Sequence, residues 1–184
     1  MYRTKTGGLI NRKKVLNFSF NGKNLKGFDG DTLSSALLGN GIHLVGRSFK
    51  YHRPRGIFTS GSEEPSALVQ LDEKKFTEPN IRATTVKLFD GLVANSQNHF
   101  GSLSWDFMRI NDYLSTFLSA GFYYKTFMWP KAFWEKIYEP IIRNAAGLGK
   151  LSKESDPSIY DKGYLHCDLL VIGAGPAGLY SALI

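Results

Sequence analysis

Alternating apolar and polar residues open the chain and predict its first elements. Residues 15–20 read Val-Leu-Asn-Phe-Ser-Phe, which places Leu16, Phe18 and Phe20 on one side. This period of two predicts a half-buried strand. Asn21-Gly22 follows, and because both residues tolerate positive φ, the pair predicts a hairpin turn with a returning strand over 24–28.

The pattern then changes to a helical one. Asp31 or Thr32 is the expected N-cap, and Gly39-Asn40-Gly41 is the expected stop. The inner face of this helix carries three apolar residues, Leu33, Ala36 and Leu37. A hairpin, a helix and then a loop form the opening of a β-grasp domain.

Weaker strand patterns follow the loop. Residues 66–71 read as a strand, 72–75 as a polar turn, and 81–89 as a further strand-like stretch, with turn residues at Pro79-Asn80 and Asp90-Gly91. The predicted fold class is therefore α+β, with residues 1–97 as a β-grasp (2Fe-2S ferredoxin-like) domain.

Residues 98–165 are expected to form a helical, aromatic-rich connector. Residues 106–119 predict a helix that ends before Gly121, with an apolar face of Phe107, Ile110, Leu114, Phe117 and Leu118. Residues 122–134 contain seven aromatic residues, a density more typical of core or interdomain packing than of a ligand site. Helix is expected again over 131–139, and Pro140 is expected to end or kink it.

Residues 166–184 read as the start of a Rossmann-type dinucleotide-binding fold. An apolar strand over 168–172 runs into Gly-Ala-Gly-Pro-Ala-Gly and then a helix. In such a turn Gly173 makes the bend, Gly175 lets the backbone approach a pyrophosphate, and Gly178 lets the helix pack closely. The second strand, and the acidic ribose ligand expected about 20 positions further on, are missing from the 184 residues, so the stretch is interpreted as a truncated Rossmann-type start.

Composition narrows the class of protein. The net charge of +7 suits an anionic partner, or simply a basic surface. A single cysteine, Cys167, excludes an internal disulfide framework and suits a reducing cytoplasm. The apolar run over 169–184 is short for a membrane anchor and is interrupted by three glycines and Pro176, so no membrane association is expected.

The loop over 41–61 holds the most distinctive chemistry. It corresponds to the loop that supplies C-x₄-C-x₂-C ligands in plant-type [2Fe–2S] ferredoxins, which this order of elements resembles, yet it contains no cysteine. Basic and aromatic side chains are interleaved in this loop: Arg47, Phe49, Lys50, Tyr51, Arg53 and Arg55. Such side chains could contact nucleic acid, a cofactor phosphate or an acidic protein face. His43 and His52 lack the spacing of metal ligands and are expected to be hydrogen-bonded or solvent-facing. We predict no iron–sulfur cluster, no metal site and no catalytic residue in this chain.

Several stretches together give the chain a family resemblance. The most specific read Val-Gly-Arg-Ser-Phe-Lys-Tyr-His-Arg-Pro-Arg-Gly over 45–56 and Ala-Gly-Phe-Tyr-Tyr-Lys-Thr-Phe-Met-Trp-Pro over 120–130. With 30–37, 145–149 and the glycine turn, they resemble the N-terminal part of the alpha subunit of heterotetrameric sarcosine oxidase.

The resemblance implies an assembly of alpha, beta, gamma and delta subunits. It would oxidatively demethylate sarcosine to glycine, pass the one-carbon unit to tetrahydrofolate and form hydrogen peroxide from oxygen. NAD would lie in the alpha subunit, with FAD, FMN and zinc also in the complex. The family's nucleotide contacts carry over to Gly173, Gly175, Pro176 and Gly178. Sarcosine and tetrahydrofolate sites are expected outside these residues, and the 184-residue chain alone is expected to be inactive.

Two alternatives remain open at this stage. The chain could come from the alpha subunit of a related amine- or opine-oxidising flavoprotein dehydrogenase, although many of those keep the cluster cysteines. It could also be a non-catalytic module that docks a partner subunit. Nucleic-acid binding ranks lower, because the basic residues lie in one short loop.

Overall fold

A computed structural model describes residues 2–73, 76–118, 120–121, 129–147, 149, 152–156 and 159–184. The described part is a mixed α+β structure. Its strands, in chain order, are β1 Asn11–Phe20, β2 Lys23–Asp29, β3 Gly46–Arg47, β4 Pro54–Arg55, β5 Leu68–Glu73, β6 Phe76–Arg82 and β7 Leu92–Ser96. Its α-helices are α1 Leu33–Gly39, α2 Ile110–Tyr113, α3 Glu139–Ala146 and α4 Pro176–Leu183.

Five strands form one mixed sheet in the order β2-β1-β7-β5-β6. β1 and β7 run parallel, whereas the other neighbours are antiparallel. The hairpin between β1 and β2 is confirmed: Asn21 and Gly22 have φ of 50° and 74°, the left-handed pair that a two-residue turn needs. The short strands β3 and β4 pair separately within the loop over 41–61.

Helix α1 covers this sheet and completes the core. Thr32 is its N-cap, with a reciprocal capping box to Ser35, and Asn40 is its C-cap. The predicted inner face is confirmed, since Leu33, Ala36 and Leu37 are fully buried. They join a cluster that contains side chains from β1, β2, β5 and β7, including Leu16, Phe18, Phe20, Leu25, Val69, Leu92 and Ala94.

The second half of the sheet departs from the prediction. The turn residues Pro79-Asn80 lie inside β6, and the stretch expected as a strand turns at 83–85 instead. β6 is an edge strand, where a proline without an N–H is tolerated. Asn80 has φ of 61° beside a shift in the register of β5 against β6. Asp90-Gly91 does turn the chain, and it leads into β7, a strand that the sequence did not predict.

The connector is less regular than predicted. A 3₁₀ turn at Phe107–Arg109 leads into the short α2, and the expected apolar face of this stretch is largely exposed, with Phe107 at 68% and Phe117 at 81%. The helix expected over 131–139 is a 3₁₀ turn at Lys131–Phe133 followed by a π-helical turn at Trp134–Tyr138. The π-helical turn ends before Pro140, which lies in the first turn of α3, where its missing N–H costs nothing. Most of the aromatic stretch, residues 122–128, lies outside the described residues.

Residues 168–172 do not form the predicted buried strand. They pair with no described strand, and Leu169 and Ile172 are 76% and 88% exposed. A parallel, all-apolar strand is stable when neighbours pair with it and both faces are covered, and neither condition is met here. The predicted helix after the turn is present as α4.

Candidate functional site

The glycine turn over 173–178 begins at a residue with positive φ. Gly173 has φ of 105°, which L side chains rarely adopt. Gly175 is the extended N-cap of α4, and Pro176 occupies the first turn, where its fixed φ suits a helix start. The N–H of Leu179 closes the first helical hydrogen bond to Gly175 O at 2.9 Å.

The three glycines of the turn differ in the space that a Cβ atom would have and in their backbone conformation. A Cβ on Gly178 would lie 2.2 Å from Gly173 O, so only glycine lets α4 pack this close to the turn. A Cβ on Gly175 would meet nothing within 4 Å, and its φ of −72° suits any residue. The fold therefore explains Gly173 and Gly178, whereas Gly175 leaves open space beside the helix N-terminus.

The turn, with its exposed helix N-terminus, has the features of a phosphate-binding element. Free N–H groups and the helix dipole at this end favour an anion, and α4 has no acidic residue in its first turn to oppose one. The four predicted contacts, Gly173, Gly175, Pro176 and Gly178, lie together within this one turn. They fit the pyrophosphate part of a dinucleotide and supply no group for its ribose or base.

Several side chains of the basic loop, in contrast, form hydrogen bonds within the protein. Arg47 is only 5% exposed, and its guanidinium donates to the backbone oxygens of Leu103, Ser104 and His52 at 2.7–3.1 Å. Asn98 returns a hydrogen bond from Nδ2 to Arg47 O at 2.6 Å. A side chain buried in this way is not available to a phosphate.

His52 is the second buried link between the loop and the connector. It is 2% exposed, and its Nδ1 lies 2.6 Å from Asp106 Oδ2. The other oxygen of Asp106 accepts the N–H groups of Phe100 and Met108. The expectation of a hydrogen-bonded histidine is confirmed. Asp106 was predicted only as a helix start, because its partner lies 54 positions away in the sequence.

Outer residues of the loop make further contacts with the connector. Tyr51 donates to Leu118 O at 3.0 Å, and Arg53 pairs with Asp112 Oδ1 at 2.7 Å. This carboxylate is the main reason that the pKa of Arg53 is raised. The Arg53 and Lys50 cations lie 4.8 and 4.9 Å from the centre of the Tyr51 ring. Arg47, Tyr51 and Arg53 thus form contacts within the chain, whereas Phe49 and Arg55 are exposed.

Neither a cluster nor a metal fits the described side chains. Cys167 is exposed and lies far along the chain from the loop over 41–61. The described residues contain no group of three or more His, Cys, Asp or Glu arranged to hold a metal ion. Among the described helices, none has the length and apolar character to cross a membrane.

A family comparison agrees with the fold of the N-terminal unit. Residues 13–99 match the family of 2Fe-2S iron-sulfur cluster binding domains. With no cysteine in that range, the chain has a ferredoxin-like domain without the cluster's thiolate ligands.

Comparison with curated proteins gives matches that are more specific than the domain family. The chain is 59% identical over 182 residues to sarcosine oxidase subunit alpha of Rhizobium meliloti (strain 1021), covering 99% of this chain and 18% of that protein. It is 35% identical to sarcosine oxidase subunit alpha of Corynebacterium sp. (strain U-96), covering 96% of this chain and 14% of that protein. The subunit of Corynebacterium sp. (strain P-1) is 34% identical, over 94% and 13% of the two chains. The chain is therefore similar to these sarcosine oxidase alpha subunits along nearly all of its own length, and it spans less than a fifth of theirs.

One solved structure is also similar in part. The crystal structure of L-proline dehydrogenase from P. horikoshii is 30% identical and covers 47% of this chain and 16% of that chain. Its TM-score of 0.37 is too low to add to the assignment of the fold.

Proposed function

We propose that this chain is the N-terminal part of the alpha subunit of a heterotetrameric sarcosine oxidase. The complete enzyme would convert sarcosine to glycine, transfer the one-carbon unit to tetrahydrofolate and reduce oxygen to hydrogen peroxide in the cytoplasm. The observation that carries the proposal is the 59% identity along 99% of the chain. The sites for sarcosine and tetrahydrofolate would lie outside these 184 residues, and the beta, gamma and delta subunits would be its partners.

Within that enzyme, the glycine turn would hold the pyrophosphate of NAD. Gly175 and Pro176 would present the helix N-terminus to the phosphates, while Gly173 and Gly178 would fix the turn's shape. A bound NAD supplies hydride-transfer chemistry, and FAD and FMN would lie elsewhere in the complex. The open space at Gly175 supports this assignment, because the fold itself gives no reason for a glycine there.

The proposed domain organisation follows from the same assignment. Residues 1–97 would be the ferredoxin-like domain, 98–165 the connector, and 166–184 the first part of the dinucleotide-binding domain. In the presence of the neighbouring strands, residues 168–172 would become a buried parallel strand. The isolated chain would then bind NAD very weakly and would not oxidise sarcosine.

Reading the coding sequence past the codon for Ile184 tests this organisation directly. We expect a second apolar strand, ending in an acidic residue about 20 positions after the turn. A stop codon at that point would contradict the proposal for the dinucleotide domain. It would favour the alternative that this chain is a non-catalytic docking module.

A comparison of turnover rates tests the proposal that sarcosine is the substrate. The complete alpha polypeptide, co-expressed with beta, gamma and delta subunits, should consume oxygen and form peroxide on addition of sarcosine, with formaldehyde trapped by tetrahydrofolate. Opines and other secondary amines are the matched comparison. Faster turnover of one of those would instead identify a related amine- or opine-oxidising dehydrogenase.

A separate measurement examines the isolated chain. Calorimetric titration of the 184-residue protein with NAD should show no appreciable heat of binding. Tight binding would mean that the turn alone suffices, which would overturn the proposed division of the site.

A further inference from the structure

A buried carboxylate lies at the end of the loop in which related domains carry a cluster. Glu64 is fully buried, whereas its neighbour Glu63 is exposed. Among the described residues, no cation forms an ion pair with the Glu64 carboxylate, although Arg82 Nε donates to its backbone oxygen at 3.1 Å. A buried charge is costly unless hydrogen bonds replace its water, so its surroundings must supply them.

Backbone N–H groups from two sides of the loop supply those hydrogen bonds. Oε2 of Glu64 accepts the N–H of Phe58 at 2.8 Å and of Thr59 at 2.5 Å, with the Thr59 hydroxyl at 3.2 Å. Oε1 accepts the N–H of Ser66 at 2.7 Å and of Ala67 at 3.1 Å. The carboxylate therefore joins the end of the loop to the start of β5.

The electrostatics agree with this geometry. Burial raises the pKa of Glu64, but the N–H groups of Thr59, Ser66, Phe58 and Ala67 lower it by more, so that the net pKa lies below its ordinary value. The side chain is an anion at neutral pH. Four convergent backbone N–H groups are an anion-binding concavity of the kind that holds phosphates and iron–sulfur clusters in other proteins.

We infer that residues 58–67 form a backbone anion site whose ligand is the chain's own Glu64 carboxylate. In this ferredoxin-like domain the Glu64 carboxylate holds in place a loop that has no cluster. The site is selective for a planar carboxylate, because two N–H groups converge on each oxygen. With the Glu64 side chain removed, it would accept a small carboxylate such as formate from solution.

Substitutions at neighbouring glutamates test the inference in the 184-residue protein. Glu64→Gln keeps the size but turns an NH₂ group toward two N–H donors, and should lower the melting midpoint by about 5 °C. Glu63→Gln removes the same charge from the surface and should leave the midpoint within about 1 °C. Equal midpoints for the two variants would overturn the inference.

Chemical rescue identifies the ligand class. Glu64→Ala should melt lower than Glu64→Gln, and sodium formate should raise its midpoint by about 3 °C more than sodium chloride of equal ionic strength. In the wild type, where the site is filled, formate should act no differently from chloride. A formate effect in Glu64→Ala no larger than in the wild type would contradict the carboxylate site.

Amide exchange provides a readout if Glu64→Ala fails to fold. In Glu64→Gln, the amides of Phe58, Thr59, Ser66 and Ala67 should exchange at least several-fold faster, while those of β1 and β2 keep their rates. Unchanged protection of the four amides would show that the carboxylate does not hold them, and the inference would fall.

Discussion

Two strongly apolar regions of the chain differ in whether their side chains are buried. In the sheet-and-helix unit over 11–96, Leu33, Leu37 and Val69 are completely buried. In the C-terminal stretch, Leu169, Ile172 and other apolar side chains remain mostly exposed. Both regions read as strand or helix from their residues alone. Burial depends instead on whether neighbouring elements are present to cover the apolar face.

The connector lies between these extremes. Its start is attached to the ferredoxin-like unit through Arg47, His52 and Asp106, all buried. Its outward side chains, such as Trp105 and Phe117, are exposed at 78% and 81%. Polar links thus fix this segment in place where hydrophobic packing covers only part of it.

The largest contrast should appear when one leucine is shortened in each region. Leu37→Ala removes a fully buried side chain from α1 and should lower the free energy of unfolding by about 3 kcal/mol. Leu179→Ala, in α4 and 59% exposed, should change it by less than about 0.5 kcal/mol. Urea unfolding followed by circular dichroism measures both. Similar losses would mean that α4 packs on the core in solution.

A second pair of variants tests the polar attachment. Asp106→Asn keeps the shape but removes the negative charge beside buried His52, and should cost about 2 kcal/mol. Asp112→Asn breaks the exposed pair with Arg53 and should cost less than about 1 kcal/mol. The same urea titration applies. If the two losses are equal, the buried pair does not anchor the connector.

A third test uses pH on the N-terminal side of the core. Burial raises the pKa of Asp31, but hydrogen bonds from Arg3, Ser35 and the Phe28 N–H lower it below its ordinary 3.8. The depressed pKa gives a stabilisation that is fully present well above pH 3.8 and is lost as pH falls through the folded-state value.

Asp31→Asn should therefore lower the free energy of unfolding by about 1 kcal/mol at pH 7. The difference from the wild type should shrink as pH falls below the ordinary carboxyl value of 3.8 and through the depressed folded-state pKa of Asp31. Chemical unfolding at each pH measures the difference. The wild-type curve also contains the contribution of Glu64, so the comparison of the two curves is what isolates Asp31. A difference that stays constant with pH would contradict the paired carboxylate.

Local signals account for the parts of the fold that could be predicted. The turn at Asn21-Gly22 and the cap at Thr32 depend on residues within a few positions of each other. β6 was missed because Pro79 and Asn80 usually end strands, and only the strand order shows that this one lies at an edge.

The buried polar contacts could not be predicted in the same way. Arg47 reaches Leu103 across 56 positions, so a cation in a basic loop gave no sign that it would be buried. In the glycine turn, the spacing correctly predicted the bend and the helix. Residues 168–172 pair with no described strand, so their apolar pattern alone could not decide their structure.

The smallest effect on stability, and the one most specific to the turn, is expected from Gly178→Ala. Alanine normally stabilises a helix interior by about 0.5–1 kcal/mol relative to glycine. Here its Cβ would lie 2.2 Å from Gly173 O, so the turn must open to accommodate it. We expect displaced amide resonances over 171–175 and no gain in helicity. The free energy of unfolding should stay within about 0.5 kcal/mol of the wild type, because α4 is not part of the core.

Gly175→Ala is the matched control: its Cβ points into open space, so the resonances beyond its immediate neighbours should not move. If Gly178→Ala leaves the turn unchanged and raises the helicity, as alanine does in an ordinary helix, then the close approach of α4 to Gly173 is not present in solution.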